Sequence, residues 1–255
     1  MAHYKDTFDL TGMKAMVTGG AGDLGQGMVA GLVESGAEVC ILDMSDKAKD
    51  IAKDLCEKGY KVSSVKVDVS DREDIKRAFA EALEILGGVD IMVNAAGIQR
   101  RHFCEEFPIE DWDQVIEINL TAVFEFTQLA GREMLKKGYG KVINIASMLT
   151  FFGGYTVPAY AASKGGVAQM SKAFSNEWAG KGINVNCIAP GYMDTAMNVK
   201  LINDPVRNKE ILDRIPAHRW GTGDDVKGPI VFLASHASDY LDGAVIPVDG
   251  GYLSR

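Results

Sequence analysis

Short apolar runs alternate along this chain with longer amphipathic ones. Residues 14–17, 38–42, 62–67, 89–93, 141–145, 184–188 and 244–248 are rich in Val and Ile, and Gly, Asp or Asn bound them. Runs of that length between turn formers predict buried β-strands. The intervals 24–35, 47–58, 72–86, 111–136, 159–181 and 224–235 carry apolar residues at helical spacing. Strand and helix in regular alternation predict parallel βαβ units wound both ways around one sheet. No short repeat, low-complexity segment or linker divides the 255 residues, so a single domain is expected. The least regular stretch, 192–220, contains Pro205 and Pro216. It reads as an insertion over the edge of the sheet, a substrate lid in a chain of this class.

Chemistry enters at the end of the first strand. Thr18-Gly19-Gly20-Ala21-Gly22-Asp23-Leu24-Gly25 joins that strand to a helix, with Gly20, Gly22 and Gly25 spaced as G-x-G-x-x-G. Among 28 glycines the spacing alone means little, but its place between the first strand and first helix is the confirming context. Glycines let a backbone approach a pyrophosphate, and the helix start offers free N–H groups and the positive end of its dipole. Asp43 ends the second strand about twenty residues on, where a carboxylate accepts hydrogen bonds from the ribose hydroxyls of NAD and repels the 2′-phosphate of NADP. Neither Met44 nor Ser45 supplies a cation for that phosphate. Asp68-Val69 and Asn94-Ala95-Ala96-Gly97 follow the third and fourth strands, on the edge where doubly wound sheets bind ligands.

Tyr160 and Lys164 are four residues apart on a predicted helix and share one face. An ammonium beside a phenol favours phenolate, which makes the tyrosine a proton donor and acceptor for an alcohol/ketone pair. Ser147, closing the fifth strand, is placed to hydrogen-bond the substrate oxygen. Taken alone, Tyr160 and Lys164 read equally as a surface helix pair. Combination with Ser147 and the glycine loop favours chemistry.

The order of these elements resembles the short-chain dehydrogenase/reductase family over nearly the whole chain. The resemblance implies a Rossmann-type α/β fold, with a doubly wound, seven-stranded parallel sheet and helices on both faces. It also implies a catalytic set of Asn119, Ser147, Tyr160 and Lys164, Asn119 anchoring a water that links Lys164 to solvent. The dinucleotide is then expected against Thr18, Gly19, Gly22, Asp23, Leu24 and Gly25, then Asp43, Asp68 and Val69, then Asn94, Ala95 and Gly97. Tyr160 and Lys164 also face it, and Pro190, Gly191 and Thr195 close over its nicotinamide. One departure stands out: Asp23 occupies the place where compact members of the family usually carry the middle glycine of T-G-x-x-x-G-x-G. It is expected either to alter the pyrophosphate contact or to cap the helix facing away from it.

Within the family, 94–102, 143–148, 176–179, 183–193, 210–221 and 228–255 resemble the dehydrogenases of sugar acids. That implies a secondary alcohol/ketone pair on a small sugar acid, held by Ser147, Met148 and Tyr160. Arg100 and Arg101, just past Gly97, are candidates for the carboxylate, with Arg214, His218 and Arg219 on the lid behind them. Competing readings are a 3-oxoacyl thioester or other carbonyl reductase, and a non-catalytic dinucleotide sensor. The sensor would be expected to lack Ser147, Tyr160 or Lys164.

Bulk properties narrow the partners. A net charge of −8, spread along the chain, makes nucleic acid and anionic membranes poor partners. Nowhere do about 18 apolar residues run unbroken, so no membrane span is expected. Cys40, Cys56, Cys104 and Cys187 are scattered without a C-x-x-C pair, which suits a reducing compartment, the cytoplasm. His3, His102, His218 and His236 lack ligand spacing, and no metal is assigned. The apolar C-terminal run 245–253 predicts an exposed sheet edge that a second subunit covers, as in a D2 homotetramer.

Overall fold

The computed structural model describes residues 4–255. All seven expected strands are present: β1 (Lys14–Thr18), β2 (Glu38–Asp43), β3 (Val62–Lys66), β4 (Ile91–Asn94), β5 (Gly140–Ile145), β6 (Ile183–Pro190) and β7 (Val245–Val248). They form one parallel sheet in the order β3-β2-β1-β4-β5-β6-β7. The flanking helices are α1 (Asp23–Glu34), α2 (Lys47–Glu57), α3 (Arg72–Leu86), α4 (Ile109–Ile116), α5 (Ala122–Lys137) and α6 (Pro158–Trp178). The lid carries α7 (Val199–Ile202) and α8 (Pro205–Arg214), and α9 (Lys227–Ala234) precedes the last strand.

Continuous apolar runs were the strand signal because helices cover both faces of a parallel sheet. Val17, Val39, Ile41, Ile91 and Val93 pack on one face against Met28 and Leu32 of α1 and Ile230 and Leu233 of α9. Their neighbours Met16, Cys40, Leu42 and Met92 point the other way, onto Ile75 and Phe79 of α3 and Phe126 and Met134 of α5. Leu32, Ile41 and Met92 are wholly buried; each such side chain contributes about 1.5–3 kcal/mol. Local signals fix the helix ends. Asp71 accepts hydrogen bonds from the Glu73 and Asp74 N–H groups at the start of α3, and Gly87, at φ +68°, stops it.

The sequence predicts one helix over 111–136, and there the structure differs. A π-helical turn, Glu117–Thr121, separates α4 from α5, and Asn119 sits inside it. Its side chain reaches sideways to the backbone of Ile98, accepting from the N–H at 2.8 Å and donating to the carbonyl at 2.9 Å. A widened turn of this kind is frequent at functional sites.

Strand order reverses between β1 and β4, where Thr18 and Asn94 stand side by side at the carboxyl ends. Connections leave in opposite directions there and open a crevice. The insertion at 192–220 is helical and closes at its base, where the Asp194 N–H bonds the Gly221 carbonyl at 2.7 Å. Ile211 and Ile215 seat it against Met148 and Tyr252.

Cys40 and Cys187 are buried and all four cysteines are free. Among the described residues no helix is long and apolar enough to cross a membrane, and no cluster of His, Cys, Asp or Glu has the makings of a metal site. His3 lies outside the described residues.

Candidate active site

The glycine loop is tightly folded. Gly19 has φ +66°, and a β-carbon there would lie 2.7 Å from the Ala96 backbone. A β-carbon on Gly25 would lie 2.1 Å from the Gly19 carbonyl oxygen, so only glycine lets the helix start this close to the strand. Gly22 takes the N-cap position of α1 with no side-chain cap. The first-turn N–H groups are therefore left without a side-chain acceptor, as an anion site needs.

Two joined clefts run along the carboxyl edge of the sheet. One, of about 340 Å³, is lined by Gly19, Gly22, Asp43, Asp68, Val69, Ala95 and Gly97. Sequence reasoning missed Lys47 and Ile118 in its wall. The Asp43 carboxylate accepts from the Ala21 N–H at 3.0 Å and the Ser45 N–H at 2.9 Å. It holds the glycine loop and lines the cleft at once.

The other, of about 260 Å³, is lined by Gly19, Gly22, Asp23, Leu24 and Gly25 on one side. Ser147, Tyr160 and Lys164 stand on another, and Pro190, Gly191 and Thr195 complete it with Met193, Met197 and Asn198. Two adjoining clefts that share Gly19, Gly22, Ala95 and Gly97, with an uncapped helix start between them, fit a dinucleotide.

Two expected contact residues stand behind the wall. Thr18 is buried, and its hydroxyl accepts from the Ala95 and Ala96 N–H groups at 3.1 and 3.3 Å. Asn94 is buried too, donating to Thr127 and Asn144. Both shape the 94–97 loop from beneath. Asp23 corrects the expected cap: Gly22 holds that position, and the Asp23 carboxylate instead accepts the Ala196 N–H at 2.7 Å.

Ser147, Tyr160 and Lys164 converge. Ser147, extended at φ −162°, follows β5 and accepts from the Leu149 N–H at 3.1 Å. Tyr160 and Lys164 project from the first turns of α6, with the ammonium 5.7 Å from the ring centre. Lys164 is 4% exposed and donates to the Ile145 carbonyl at 2.6 Å. Burial pushes its ammonium down to about 8. Burial pushes the Tyr160 phenol up, against a hydrogen bond with Ser147 and the nearby charge of Arg101. Asn119 is adjacent: a β-carbon on Gly97 would lie 3.3 Å from its Oδ1 and 3.8 Å from the Lys164 Nζ.

A third cavity, of about 660 Å³, opens beside Ser147, Met148 and Tyr160. Its wall carries three guanidinium groups, Arg101, Arg207 and Arg214, and one carboxylate, Glu210. Arg207 bonds Glu210 at 2.7 Å. Arg214 lies 4.2 Å over the Tyr252 ring. Arg101 makes no hydrogen bond or ion pair among the described residues, and burial, with Arg207 close by, pushes its guanidinium down. Arg100 does not reach the cavity: it turns to Gln114 at 2.8 Å and Asp111 at 3.5 Å. Arg219 is bound by Asp225 at 2.6 Å, outside this wall, and His218 is not part of it. Arg207 was missed. Its spacing with Ile211 and Arg214 along one face of α8 was the available signal.

Comparison with known proteins agrees with this geometry. A family profile described as enoyl-(acyl carrier protein) reductase matches residues 19–253. A 2-dehydro-3-deoxy-D-gluconate 5-dehydrogenase of Bacillus subtilis is 48% identical over 255 residues, covering 100% of both chains. One from Dickeya dadantii is 46% identical, over 98% of this chain and 99% of its own. A solved structure from Agrobacterium tumefaciens, described as a putative 2-deoxy-D-gluconate 3-dehydrogenase with bound NADP, superposes with TM-score 0.92. It is 47% identical, over 98% of this chain and 100% of that one. With its motifs in order and its likeness running the full length, this chain belongs to the short-chain dehydrogenase/reductase family.

Proposed function

We propose that the protein is an NAD-dependent dehydrogenase of a small sugar acid, interconverting the 5-hydroxyl and 5-ketone of 2-dehydro-3-deoxy-D-gluconate. The observation that carries this is the cationic cavity opening on Tyr160 and Ser147 in an otherwise acidic chain. A sugar-acid carboxylate complements an unpaired guanidinium there. The relatives' names supply the carbon skeleton.

A nicotinamide dinucleotide held by the glycine loop, Asp43 and the 94–97 loop would supply hydride chemistry at the substrate carbon. Tyr160 gives or takes the proton on the substrate oxygen, and the Ser147 hydroxyl donates to that oxygen. Lys164 stabilises the phenolate form of Tyr160. The Asn119 side chain is committed to the Ile98 backbone, so a relay water at this turn would have to use its main-chain carbonyl. The lid, 192–220, covers the substrate and excludes solvent.

NAD is favoured over NADP because Asp43 and Asp68 face the first cleft and Lys47 is its single cation. A 2′-phosphate there meets a carboxylate. Steady-state assays at 340 nm with sugar acids and both dinucleotides test the whole reading. Oxidation of the deoxy sugar acid with NAD, giving a 5-ketone by NMR, is the expected result. Turnover of gluconate alone selects gluconate 5-dehydrogenase instead, and turnover of thioester ketones alone overturns the proposal. Asp43→Ala should weaken NAD binding roughly tenfold or more and erode the preference. Equal use of NAD and NADP by the wild type sinks the cofactor argument.

We place the enzyme in the cytoplasm as a D2 homotetramer. β7 is an edge strand of partly exposed residues, which calls for cover by a second subunit. Light scattering at micromolar concentration should give four times the chain mass of 27.5 kDa; a monomer mass overturns it.

A further inference from the structure

Asp23 is where this chain departs from its family's pattern, and the structure gives the departure a consequence. Its carboxylate lies in the first turn of α1, on the cleft that fits the dinucleotide. The same carboxylate accepts the Ala196 N–H at 2.7 Å, across 173 residues of sequence. Ala196 opens the turn Ala196–Asn198, which runs directly into α7. Met197 and Asn198 of that turn line the dinucleotide cleft and the substrate cavity alike. Asn198 is anchored at its other side, donating to the Met193 carbonyl at 2.9 Å. One carboxylate therefore ties the cofactor loop to the strap that walls the substrate cavity.

We propose that Asp23 is a positioning residue that fastens the strap, 196–202, through a bond needing no cofactor, and that its negative charge lowers dinucleotide affinity. Glycine at this position leaves the helix start with nothing but N–H groups for an incoming diphosphate. Aspartate adds a negative charge beside that anion, and like charges at short range repel. In exchange, the strap is fastened by a bond within the chain itself. Two contributions follow from one side chain: hydrogen-bond acceptance holds the strap, and charge weakens the dinucleotide.

Two substitutions separate them. Asp23→Gly removes both contributions. Asp23→Asn keeps an oxygen for the Ala196 N–H and removes only the charge. The strap is read without cofactor, as the rate of tryptic cleavage after the exposed Lys200. Asp23→Gly should be cut about fivefold faster than wild type, and Asp23→Asn at nearly the wild-type rate, if local opening governs cleavage. Dinucleotide affinity is read by NADH fluorescence titration. Both variants should bind about tenfold tighter than wild type.

Equal cleavage of wild type and Asp23→Gly overturns the strap role. Cleavage of Asp23→Asn at the Asp23→Gly rate overturns the assignment to hydrogen-bond acceptance. Unchanged NADH affinity in both variants overturns the electrostatic half. The affinity half rests on the dinucleotide reading of the cleft, whereas the cleavage half needs no ligand. Failure of the wild type to bind NADH at all would count against that reading and leave the cleavage result standing.

Discussion

Tyr160→Phe should lower turnover at least about a hundredfold while leaving NADH affinity within about twofold. Phenylalanine keeps the ring and its packing and removes the phenolic proton that Tyr160 exchanges with the substrate oxygen. The glycine loop and the Asp43 carboxylate are untouched, so the fluorescence titration should be unchanged. The environment sets a second expectation. Lys164 is the cation beside the phenol, and burial brings its ammonium down to about 8. Below that pH the ammonium is charged and favours phenolate in the transition state; above it the charge is lost. Ketone reduction should therefore fall as pH rises through about 8. Lys164→Met should remove that limb of the profile together with most of the rate. Near-normal turnover by Tyr160→Phe would move the chemistry to another group, and Ser147 is the nearest.

What the sequence made legible follows from which interactions are local. The strands could be read because burial on both faces demands unbroken apolar runs, such as Val39 to Leu42. The glycine loop could be read because backbone proximity tolerates no side chain at Gly25. Tyr160 and Lys164 could be read because a helix fixes the geometry of residues four apart. The π-turn at Asn119 stayed hidden: the one-position shift it puts into the apolar stripe looks like ordinary irregularity beside a helix as short as α4, and the bond that accompanies it is to Ile98, on another loop. Thr18 and Asn94 carry motif letters yet lie behind the cleft, since a motif records which residues a site needs and not which of them touch the ligand. Asp23 could only be flagged as unusual, because its partner is 173 residues away. Arg100 and Arg101 were inseparable for a related reason. In an extended loop neighbouring side chains point to opposite sides, and only the position of Asp111 and Gln114 decides which arginine is already engaged.

Arg101→Ala should raise the Michaelis constant for the acid substrate roughly ten- to a hundredfold, and Arg100→Ala should change it less than about threefold. Both arginines follow the same loop, yet their surroundings differ in kind. Arg100 has Asp111 and Gln114 as partners and is no part of the cavity wall. Arg101 lines the cavity with no partner among the described residues; its side chain is still open to solvent, and with desolvation and Arg207 close by an anion is the partner it lacks. A carboxylate is such an anion, and a bidentate pair with guanidinium is worth about 1.5–3 kcal/mol when shielded from water. Turnover at saturation should change less than the Michaelis constant, because the carboxylate carries the same charge in ground and transition states. Lysine at 101 should restore only part of the loss, since an ammonium cannot make the two-pronged contact. The neutral amide of the substrate is the control: Arg101→Ala should penalise the acid and leave the amide nearly unaffected. Equal effects on acid and amide would place the carboxylate elsewhere in the cavity. Arg214 is then the next candidate, since the Tyr252 ring that stacks on its guanidinium, unlike Glu210 beside Arg207, does not compete for its charge.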